Sequence, residues 1–282
     1  MSRKLRWSSA DYCKLSKNQQ HVFAQEKALR LYKSNAIYSF IPKNACSTMR
    51  LSLALYNNCL ATTDDFKWIH KNNLTFSADL FSLVTASYTF VILRCPYSRL
   101  ASVYLDKVVG EETSQKFIDR TFQEVKKSPT NFKSILGKRK PDTTVSELSF
   151  HEFVIALHNN RALRNDQHWR PQVEFLVYKD YDDYFCVEEF SKARKALKAK
   201  VDLEVVDARG LTLHGTNRFT LVEDSELHKA SSLDIRRMMQ NGECPSHSSL
   251  FNDEIIELVG SMYAEDIKMY KSTFGVNGLL YS

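Results

Sequence analysis

Residues 36–56 read AIYSFIPKNACSTMRLSLALY and combine three local patterns in order. The apolar run 36–41 predicts a buried strand, and the leucine-rich run 49–56 predicts a helix. Between them, the loop 42–48 carries a lysine and two hydroxyl groups. The first amides of a helix lack intrahelical acceptors, and the helix dipole is positive at that end. A strand, a short polar loop and a helix N-terminus therefore predict a site for an anionic group.

Residues 88–102, YTFVILRCPYSRLAS, repeat this strand-to-helix pattern later in the chain. The first six are aromatic and β-branched enough for a central strand. Pro96 suits the first turn of a helix, and the apolar residues after it recur at helical spacing. Arg94 ends the strand, and Ser102 lies two turns into the helix on a different face. An arginine and a hydroxyl that converge on one ligand would suit a phosphate.

The two segments resemble the cofactor signatures of sulfotransferases that use 3′-phosphoadenosine-5′-phosphosulfate (PAPS). In that family a Pro-Lys-x-x-x-Ser/Thr-Thr loop holds the 5′-phosphosulfate. An Arg-x-Pro segment, followed by a serine, holds the 3′-phosphate. Lys43, Ser47 and Thr48 match the first signature, and Arg94 and Ser102 match the second with the family's spacing. The resemblance therefore implies PAPS as the cofactor.

Two further stretches resemble the carbohydrate-sulfating branch of the family. Residues 165–172, NDQHWRPQ, are similar to a segment typical of that branch, and residues 263–270 resemble its closing helix. Arg218 lies where relatives bring a C-terminal loop over the cofactor, although it could also belong to a simple turn. In all, the resemblance assigns these residues to the cofactor: Lys43, Asn44, Ala45, Cys46, Ser47, Thr48, Arg94, Ser102 and Arg218. It implies a mainly structural role for Arg99.

Alternating strands and helices predict an α/β fold with three layers, in which helices flank a central, mostly parallel sheet, as in P-loop proteins. Residues 1–34 are expected to form a polar N-terminal extension, and residues 35–282 the sulfotransferase domain. Residues 111–145 are polar and interrupted by Gly and Pro, which favours an insertion or lid over the site. Ser149 followed by Glu152 predicts a capping box at the start of a helix.

The composition fits an ordinary globular protein, with 43% apolar and 26% charged residues in 282. The net charge of +6 suits an anionic cofactor or an acidic polysaccharide, and equally lysines scattered over the surface. No apolar stretch is long enough to span a membrane, and the basic N-terminus lacks the apolar core of a signal peptide. The six cysteines show no metal-binding spacing, and a reduced state is expected. These features predict a soluble, cytoplasmic protein, whereas the animal members of the family are generally anchored in the Golgi. The departure indicates either a soluble enzyme of bacterial type or a sequence from which an anchor has been trimmed.

Lys43 is expected to carry most of the catalysis. Sulfuryl transfer, like phosphoryl transfer, builds charge on the leaving oxygen, so positioning and electrostatics dominate. The Lys43 ammonium at that oxygen, with the Ser47 and Thr48 hydroxyls on neighbouring oxygens, would supply both. The chain contains no Walker A motif, which argues against an ATPase or kinase, and no metal ion is expected at the site. Many relatives have glycine where Ala45 and Cys46 stand, so this loop must follow a more restricted backbone path.

The acceptor hydroxyl must lose a proton as it attacks, so the reaction needs a general base. His70 is the first candidate, because relatives with a histidine base tend to place it between the two signatures. His168 is the second candidate, and its neighbours Trp169 and Arg170 would suit a sugar platform and an anionic acceptor group. Trp169 could equally be a core residue. Three carboxylates also stay open as the base: Glu147, Glu152 and Asp166.

The sequence predicts a sulfotransferase that moves the sulfonate group of PAPS to a hydroxyl of a carbohydrate or a carbohydrate-bearing acceptor. Two alternatives stay open: a nucleotide-dependent phosphotransferase, and a non-catalytic protein that binds nucleotides or sulfated glycans. The basic run 138–140 could attract a polyanionic acceptor or be simply solvated. No nucleic-acid partner is expected. The acceptor's identity and the oligomeric state are not specified by the sequence.

Overall fold

The computed structural model describes residues 3–9, 13–72, 74–110, 148–159, 161–211 and 215–281. The chain divides into two compact units. Unit 1 comprises Met1–Cys95, Gln172–Leu213 and Ser272–Gly275, and unit 2 comprises Pro96–Pro171, His214–Lys271 and Val276–Ser282. The predicted insertion at 111–145, the basic run 138–140 and Glu147 lie outside the described residues.

Unit 1 is built on a four-stranded sheet whose strands follow the order β1–β2–β3–β4. The strands are β1 (Ala28–Leu31), β2 (Ala36–Ser39), β3 (Tyr88–Leu93) and β4 (Asp183–Cys186). β1 pairs antiparallel with β2, whereas β2 with β3 and β3 with β4 are parallel pairs. The prediction of an α/β fold with a mostly parallel central sheet is therefore confirmed.

The α-helices of the described residues run in the following order: α1 (Gln19–Glu26), α2 (Cys46–Tyr56), α3 (Trp68–Lys71), α4 (Leu80–Thr85), α5 (Pro96–Lys107), α6 (Phe150–Asn159), α7 (Phe190–Val201), α8 (Ser232–Gln240), α9 (Asp253–Met262) and α10 (Ala264–Phe274). α2 and α5 begin where the two motif segments predict helices. In the part of the chain that the structure describes, no helix is long and apolar enough to cross a membrane.

The sheet begins earlier in the chain than the sequence predicts. β1 falls inside the polar extension expected for residues 1–34, and Ala28, Leu29 and Leu31 are fully buried. The segment ALRL is too short to show a strand period, and it becomes a strand because it pairs with β2. This part of the N-terminal region therefore belongs to the sheet and is not a peripheral extension.

Both faces of the sheet are buried. On one face Tyr38, Phe90 and Ile92 share a hydrophobic core with residues of α2 and α7, such as Leu51 and Leu197. Residues with the opposite side-chain direction in the same strands are also fully buried, namely Ile37, Val91 and Leu93. A sheet covered on both faces is typical of parallel α/β folds, in which the loops at the strand ends carry the functional groups.

Arg3 joins the N-terminal segment of unit 1 to the sheet. Its guanidinium lies 2.7 Å from Asp182 Oδ2 and donates to the Ala86 carbonyl at 2.9 Å. The same carboxylate oxygen accepts from the Thr89 amide at 2.7 Å. Burial tends to raise the pKa of Asp182, but the bonds from Arg3 and Thr89 outweigh burial and lower it. The carboxylate is therefore held in its charged form.

Asp182→Asn is expected to destabilise the protein by about 2 kcal/mol at pH 7, because the bonds from Arg3 and Thr89 would then go to a neutral acceptor instead of a charged one. The folded-state pKa of Asp182 lies below the unfolded value. The stabilisation is therefore complete above the unfolded pKa of about 3.9 and disappears as the pH falls through the folded-state pKa. Urea unfolding of both proteins over a descending pH series checks this. If the difference in unfolding free energy between wild type and Asp182→Asn stays constant from neutral to acid pH, the assigned role of the Asp182 charge is contradicted.

Unit 2 is organised around buried aromatic side chains. Tyr104 of α5 lies with its ring 5.2 Å from Phe150 of α6, and Phe150 lies 5.0 Å from Phe251. The predicted capping box at the start of α6 is confirmed. The Glu152 carboxylate accepts from the Ser149 amide at 2.9 Å, and the Glu152 amide donates to Ser149 Oγ at 3.2 Å. Glu152, one of the carboxylates that the sequence allows as the general base, thus serves in this helix cap.

Candidate active site

The loop between β2 and α2 has the strand–loop–helix form predicted from the sequence. Its residues Lys43 and Ala45 adopt left-handed backbone conformations, with φ of 70° and 54°. α2 begins at Cys46 without a side-chain cap, and the Met49 amide makes a bond of 3.0 Å to the Ala45 carbonyl. Consecutive amides at such a turn and helix start form an anion-binding concavity. The loop is thus suited to hold a phosphate or a sulfonate group.

Ala45 explains how a loop without glycine forms this turn. A left-handed conformation favours glycine and costs a residue with a Cβ about 1 kcal/mol. Ala45 has the smallest side chain that must bear this cost, and it takes the N-cap position of α2 in that conformation. The loop therefore follows a glycine-like path at a modest energetic cost.

The hydroxyl residues predicted for the loop lie in the first turn of α2. Thr48 is buried, and its Oγ1 accepts from the Ala208 amide at 3.3 Å. A hydroxyl that accepts one bond can still donate another, so this contact is compatible with donation to an anion. Ser47 and Cys46 are half-buried at the same helix start. All six cysteines of the chain, including Cys46, are free thiols.

Arg94 brings the second signature to the first one within unit 1. It follows the last residue of β3, and its Nη1 donates to the Lys43 carbonyl at 2.9 Å. The sequence assigned both residues to one cofactor but gave no contact between them. A guanidinium has five N–H donors in a rigid fork, and the fork matches the geometry of a phosphate. Unit 1 thus places the Arg94 guanidinium against the backbone of the loop that carries Lys43, just before the start of α2.

Gln172 and Asn44 form a buried polar pair behind this loop. Gln172 Oε1 accepts from Asn44 Nδ2 at 2.6 Å and from the Arg94 amide at 3.0 Å. Gln172 Nε2 donates to the Arg94 carbonyl at 2.8 Å, and Asn44 Nδ2 also donates to the Ile92 carbonyl at 2.9 Å. Asn44 is 0% exposed, so its side chain serves this buried pair, and its predicted contact with the cofactor stays a prediction. No sequence motif assigns a role to Gln172, and its position at the end of the NDQHWRPQ segment is the signal that points to it.

His168 in unit 2 forms a pair with a carboxylate. Asp166 Oδ1 lies 2.6 Å from His168 Nδ1 and also accepts from the His168 amide at 2.7 Å. The side chains are 12% exposed for Asp166 and 22% for His168. A carboxylate on Nδ1 fixes the tautomer and places the lone pair of the neutral ring on Nε2. This is the arrangement of a general base oriented by an acid.

The structure corrects the prediction of a sugar platform at Trp169. Its side chain is 0% exposed, and its Nε1 donates to the Ala162 carbonyl at 3.0 Å. Its own carbonyl accepts from the Tyr263 hydroxyl at 2.5 Å. Trp169 is therefore the core residue that the sequence had left as the alternative. Arg170 is half-buried, and its predicted contact with an anionic group of the acceptor stays a prediction.

Arg99 supports the segment that carries His168. The side chain of Arg99 is 2% exposed, and its Nη1 donates to the Arg170 carbonyl at 2.8 Å. Its Nη2 lies 3.4 Å from the Gln167 carbonyl. These bonds hold the backbone on either side of His168, at Gln167 and Arg170, which agrees with the structural role that the resemblance implied.

Arg99→Ala is expected to destabilise the protein by about 3 kcal/mol, because two carbonyls lose a charged donor inside the fold. Arg237→Ala is the matched control, since the Arg237 side chain is 73% exposed and its pair with Asp234 lies within one helix turn. Exposed pairs of this kind contribute less than about 0.5 kcal/mol. Urea denaturation of the two variants checks the difference. Equal losses of unfolding free energy in the two variants would contradict the proposal that Arg99 supports the segment carrying His168.

Three further residues predicted for the site lie on other elements of the two units. His70 lies on the short α3 in unit 1, is exposed, and has its ring 5.3 Å from the Phe66 ring in an edge-on orientation. Ser102 is half-buried on α5 in unit 2. Arg218 is exposed in unit 2, with its guanidinium 4.7 Å from the centre of the Phe219 ring. The roles of these three residues stay predictions.

Within the described ranges of both units, no group of three or more His, Cys, Asp or Glu side chains is placed to hold a metal ion. The expectation of a site without a metal stays a prediction.

Comparison with known proteins gives a family and a carbohydrate-modifying relative. The profile of the sulfotransferase family matches residues 29–272. Carbohydrate sulfotransferase 14 of Danio rerio is 28% identical over 142 residues, which make up 48% of this chain. The match covers 36% of that protein, so the chain spans little more than a third of its length. No solved structure gives a significant match.

Proposed function

The chain belongs to the sulfotransferase family, and on this basis we propose that it transfers the sulfonate group of PAPS to a hydroxyl of a carbohydrate or a carbohydrate-bearing acceptor. The carbohydrate acceptor is supported by the relative that is named a carbohydrate sulfotransferase. The observation that carries the proposal is the bond from Arg94 to the Lys43 carbonyl. Within unit 1, this bond joins Arg94 of the second signature to Lys43 of the first.

The residues of unit 1 fit the anionic donor. The loop has left-handed residues before an uncapped helix start, which presents amide donors to an anion. Lys43 adds a positive charge at this point, and Thr48 adds a hydroxyl. When bound, PAPS supplies the sulfonate group and leaves as adenosine 3′,5′-bisphosphate. Arg94, with its planar fork of donors, is the residue proposed for the 3′-phosphate, as the resemblance implies.

Lys43 is proposed to stabilise the negative charge that develops on the leaving phosphate oxygen. The bond between sulfur and that oxygen breaks while a bond between sulfur and the acceptor oxygen forms. An ammonium group fixed close to the developing charge lowers the barrier without having to reorganise. The Ser47 and Thr48 hydroxyls are proposed to orient the remaining oxygens for in-line attack.

His168 is proposed as the general base that takes the acceptor's proton. Its Nδ1 is engaged by Asp166 at 2.6 Å, so the neutral ring has its lone pair on Nε2. His70 lies on the short α3 of unit 1, and its side chain is exposed. The sequence placed His70 first, whereas the geometry within unit 2 favours His168. Comparison of kcat in His168→Gln and His70→Gln distinguishes the two histidines.

The proposed reaction is tested by transfer from PAPS carrying a radioactive sulfonate group. The protein is incubated with a panel of glycans that differ in sugar, charge and existing sulfation, and the glycans are then separated and counted. Label in at least one glycan, with matching release of adenosine 3′,5′-bisphosphate, is the expected result. Binding of PAPS without label in any glycan or glycoconjugate would instead favour a non-catalytic binding protein. Transfer of phosphate from ATP would favour the phosphotransferase.

A further inference from the structure

Gln172 occupies an unusual position for an amide side chain. It is 0% exposed, yet its carboxamide makes three hydrogen bonds to two parts of the active-site region. Two of them, at 3.0 and 2.8 Å, hold the amide and the carbonyl of Arg94. The third, at 2.6 Å, holds the side chain of Asn44 in the loop. The carboxamide therefore joins the end of β3 to the loop that precedes α2.

These bonds complete a closed circuit around the two cofactor signatures. Gln172 holds the backbone of Arg94, and the guanidinium of Arg94 holds the Lys43 carbonyl at 2.9 Å. Lys43 is the neighbour of Asn44, which returns to Gln172. The bond from Asn44 Nδ2 to the Ile92 carbonyl ties the circuit to β3. A closed circuit restricts the separation of Lys43 and Arg94 more than either bond alone does.

The circuit includes an unfavourable feature, a buried polar atom without a partner, that stability alone does not explain. Among the described residues, Asn44 Oδ1 is buried and has no hydrogen-bond partner. Buried polar atoms are usually paired, and an unpaired one calls for a reason other than stability. Lys43 and Ala45, on either side of Asn44, also have the left-handed φ values of 70° and 54°. Backbone strain and an unpaired buried atom in the same loop indicate that the geometry of this loop serves function and not stability.

We propose that Gln172 is a positioning residue, which fixes the spacing between the loop that holds the 5′-phosphosulfate and the arginine that holds the 3′-phosphate. The proposal rests on the proposed function, because it concerns the two ends of the same donor. A glutamine suits the task since it accepts at Oε1 and donates at Nε2. Glutamate would keep the acceptor and lose the donor to the Arg94 carbonyl, and methionine would keep the volume and lose both.

The test is calorimetric titration of Gln172→Met and Gln172→Glu with adenosine 3′,5′-bisphosphate and with adenosine 5′-phosphate. The ratio of the two dissociation constants measures the contribution of the 3′-phosphate. We expect this ratio to fall about tenfold or more in Gln172→Met, because small displacements of a charged donor cost about one to two orders of magnitude. Gln172→Glu, which keeps one of the two kinds of bond, is expected to lose less. If Gln172→Met does not fold, Gln172→Glu carries the test alone.

Tyr181→Phe is the matched control for a merely structural effect. Tyr181 is buried in unit 1, and its hydroxyl bonds Ser39 Oγ at 2.6 Å and the Val177 amide at 3.0 Å. Its loss destabilises unit 1 without touching Lys43 or Arg94, so the ratio should stay at the wild-type value. A wild-type ratio in both Gln172 variants would overturn the proposal. Wild-type protein that binds neither nucleotide would instead show that the proposed function had failed first.

Discussion

Lys43→Ala is expected to lower the turnover number for sulfonate transfer about 10³-fold, the size of effect seen when a donor to a developing oxyanion is removed. The structure indicates that the fold survives this change. Arg94 bonds the carbonyl of Lys43 and not its side chain, so the circuit with Gln172 stays in place. Alanine also tolerates the left-handed conformation about as well as lysine does. The loss should therefore appear in kcat while the unfolding temperature changes little.

The control for Lys43→Ala is Lys33→Ala. Lys33 lies in unit 1 as well, and its ammonium lies 5.2 Å from the centre of the Tyr56 ring, so this variant removes one positive charge away from the loop. Lys33→Ala should keep wild-type turnover. Initial rates at saturating PAPS, together with thermal unfolding of each variant, provide the comparison. A Lys43→Ala enzyme that turns over within a few-fold of wild type would refute the assigned role of the loop.

His168→Gln is expected to reduce kcat by about 10³-fold, in the range that general-base residues contribute. Asp166→Asn should give a smaller reduction, because the ring would keep its place while losing the partner that sets its tautomer. His70→Gln should stay within a few-fold of wild type. The pH dependence of kcat adds a second criterion, since removal of the base should abolish the acidic limb of the profile. A large loss in His70→Gln with full activity in His168→Gln would reverse the assignment.

The local parts of the site were predictable because they depend on local sequence. The strand and helix around the loop follow from an apolar run and a leucine-rich run, and α5 follows from Pro96 and helical spacing. The capping box at Ser149 likewise uses residues three apart in the chain. The family also follows from short motifs whose order is visible in the sequence, and the profile match confirms it.

The parts that were not predicted depend on contacts between distant residues. β1 is a strand because it pairs with β2, and ALRL alone gives too few residues to show a period. Trp169 is in the core because it packs against residues such as Phe153, whose ring centre lies 5.7 Å from that of Trp169. No sequence pattern around residue 169 reveals these neighbours. The bonds that join Gln172 to Arg94 cross 78 positions of the chain. Sequence motifs indicate candidate cofactor residues, but they do not show which contacts hold those residues at a fixed distance.

The most direct test of a PAPS site in this chain is calorimetric titration of the wild-type protein, without added metal, with adenosine 3′,5′-bisphosphate and with ADP. Both nucleotides present phosphates on the 5′ side, and the bisphosphate adds the 3′-phosphate that Arg94 is proposed to hold. The predicted result is saturable binding of the bisphosphate, at least about tenfold tighter than that of ADP, as a charge-assisted fork-to-phosphate contact provides. Equal or tighter binding of ADP would contradict the assignment of both signatures.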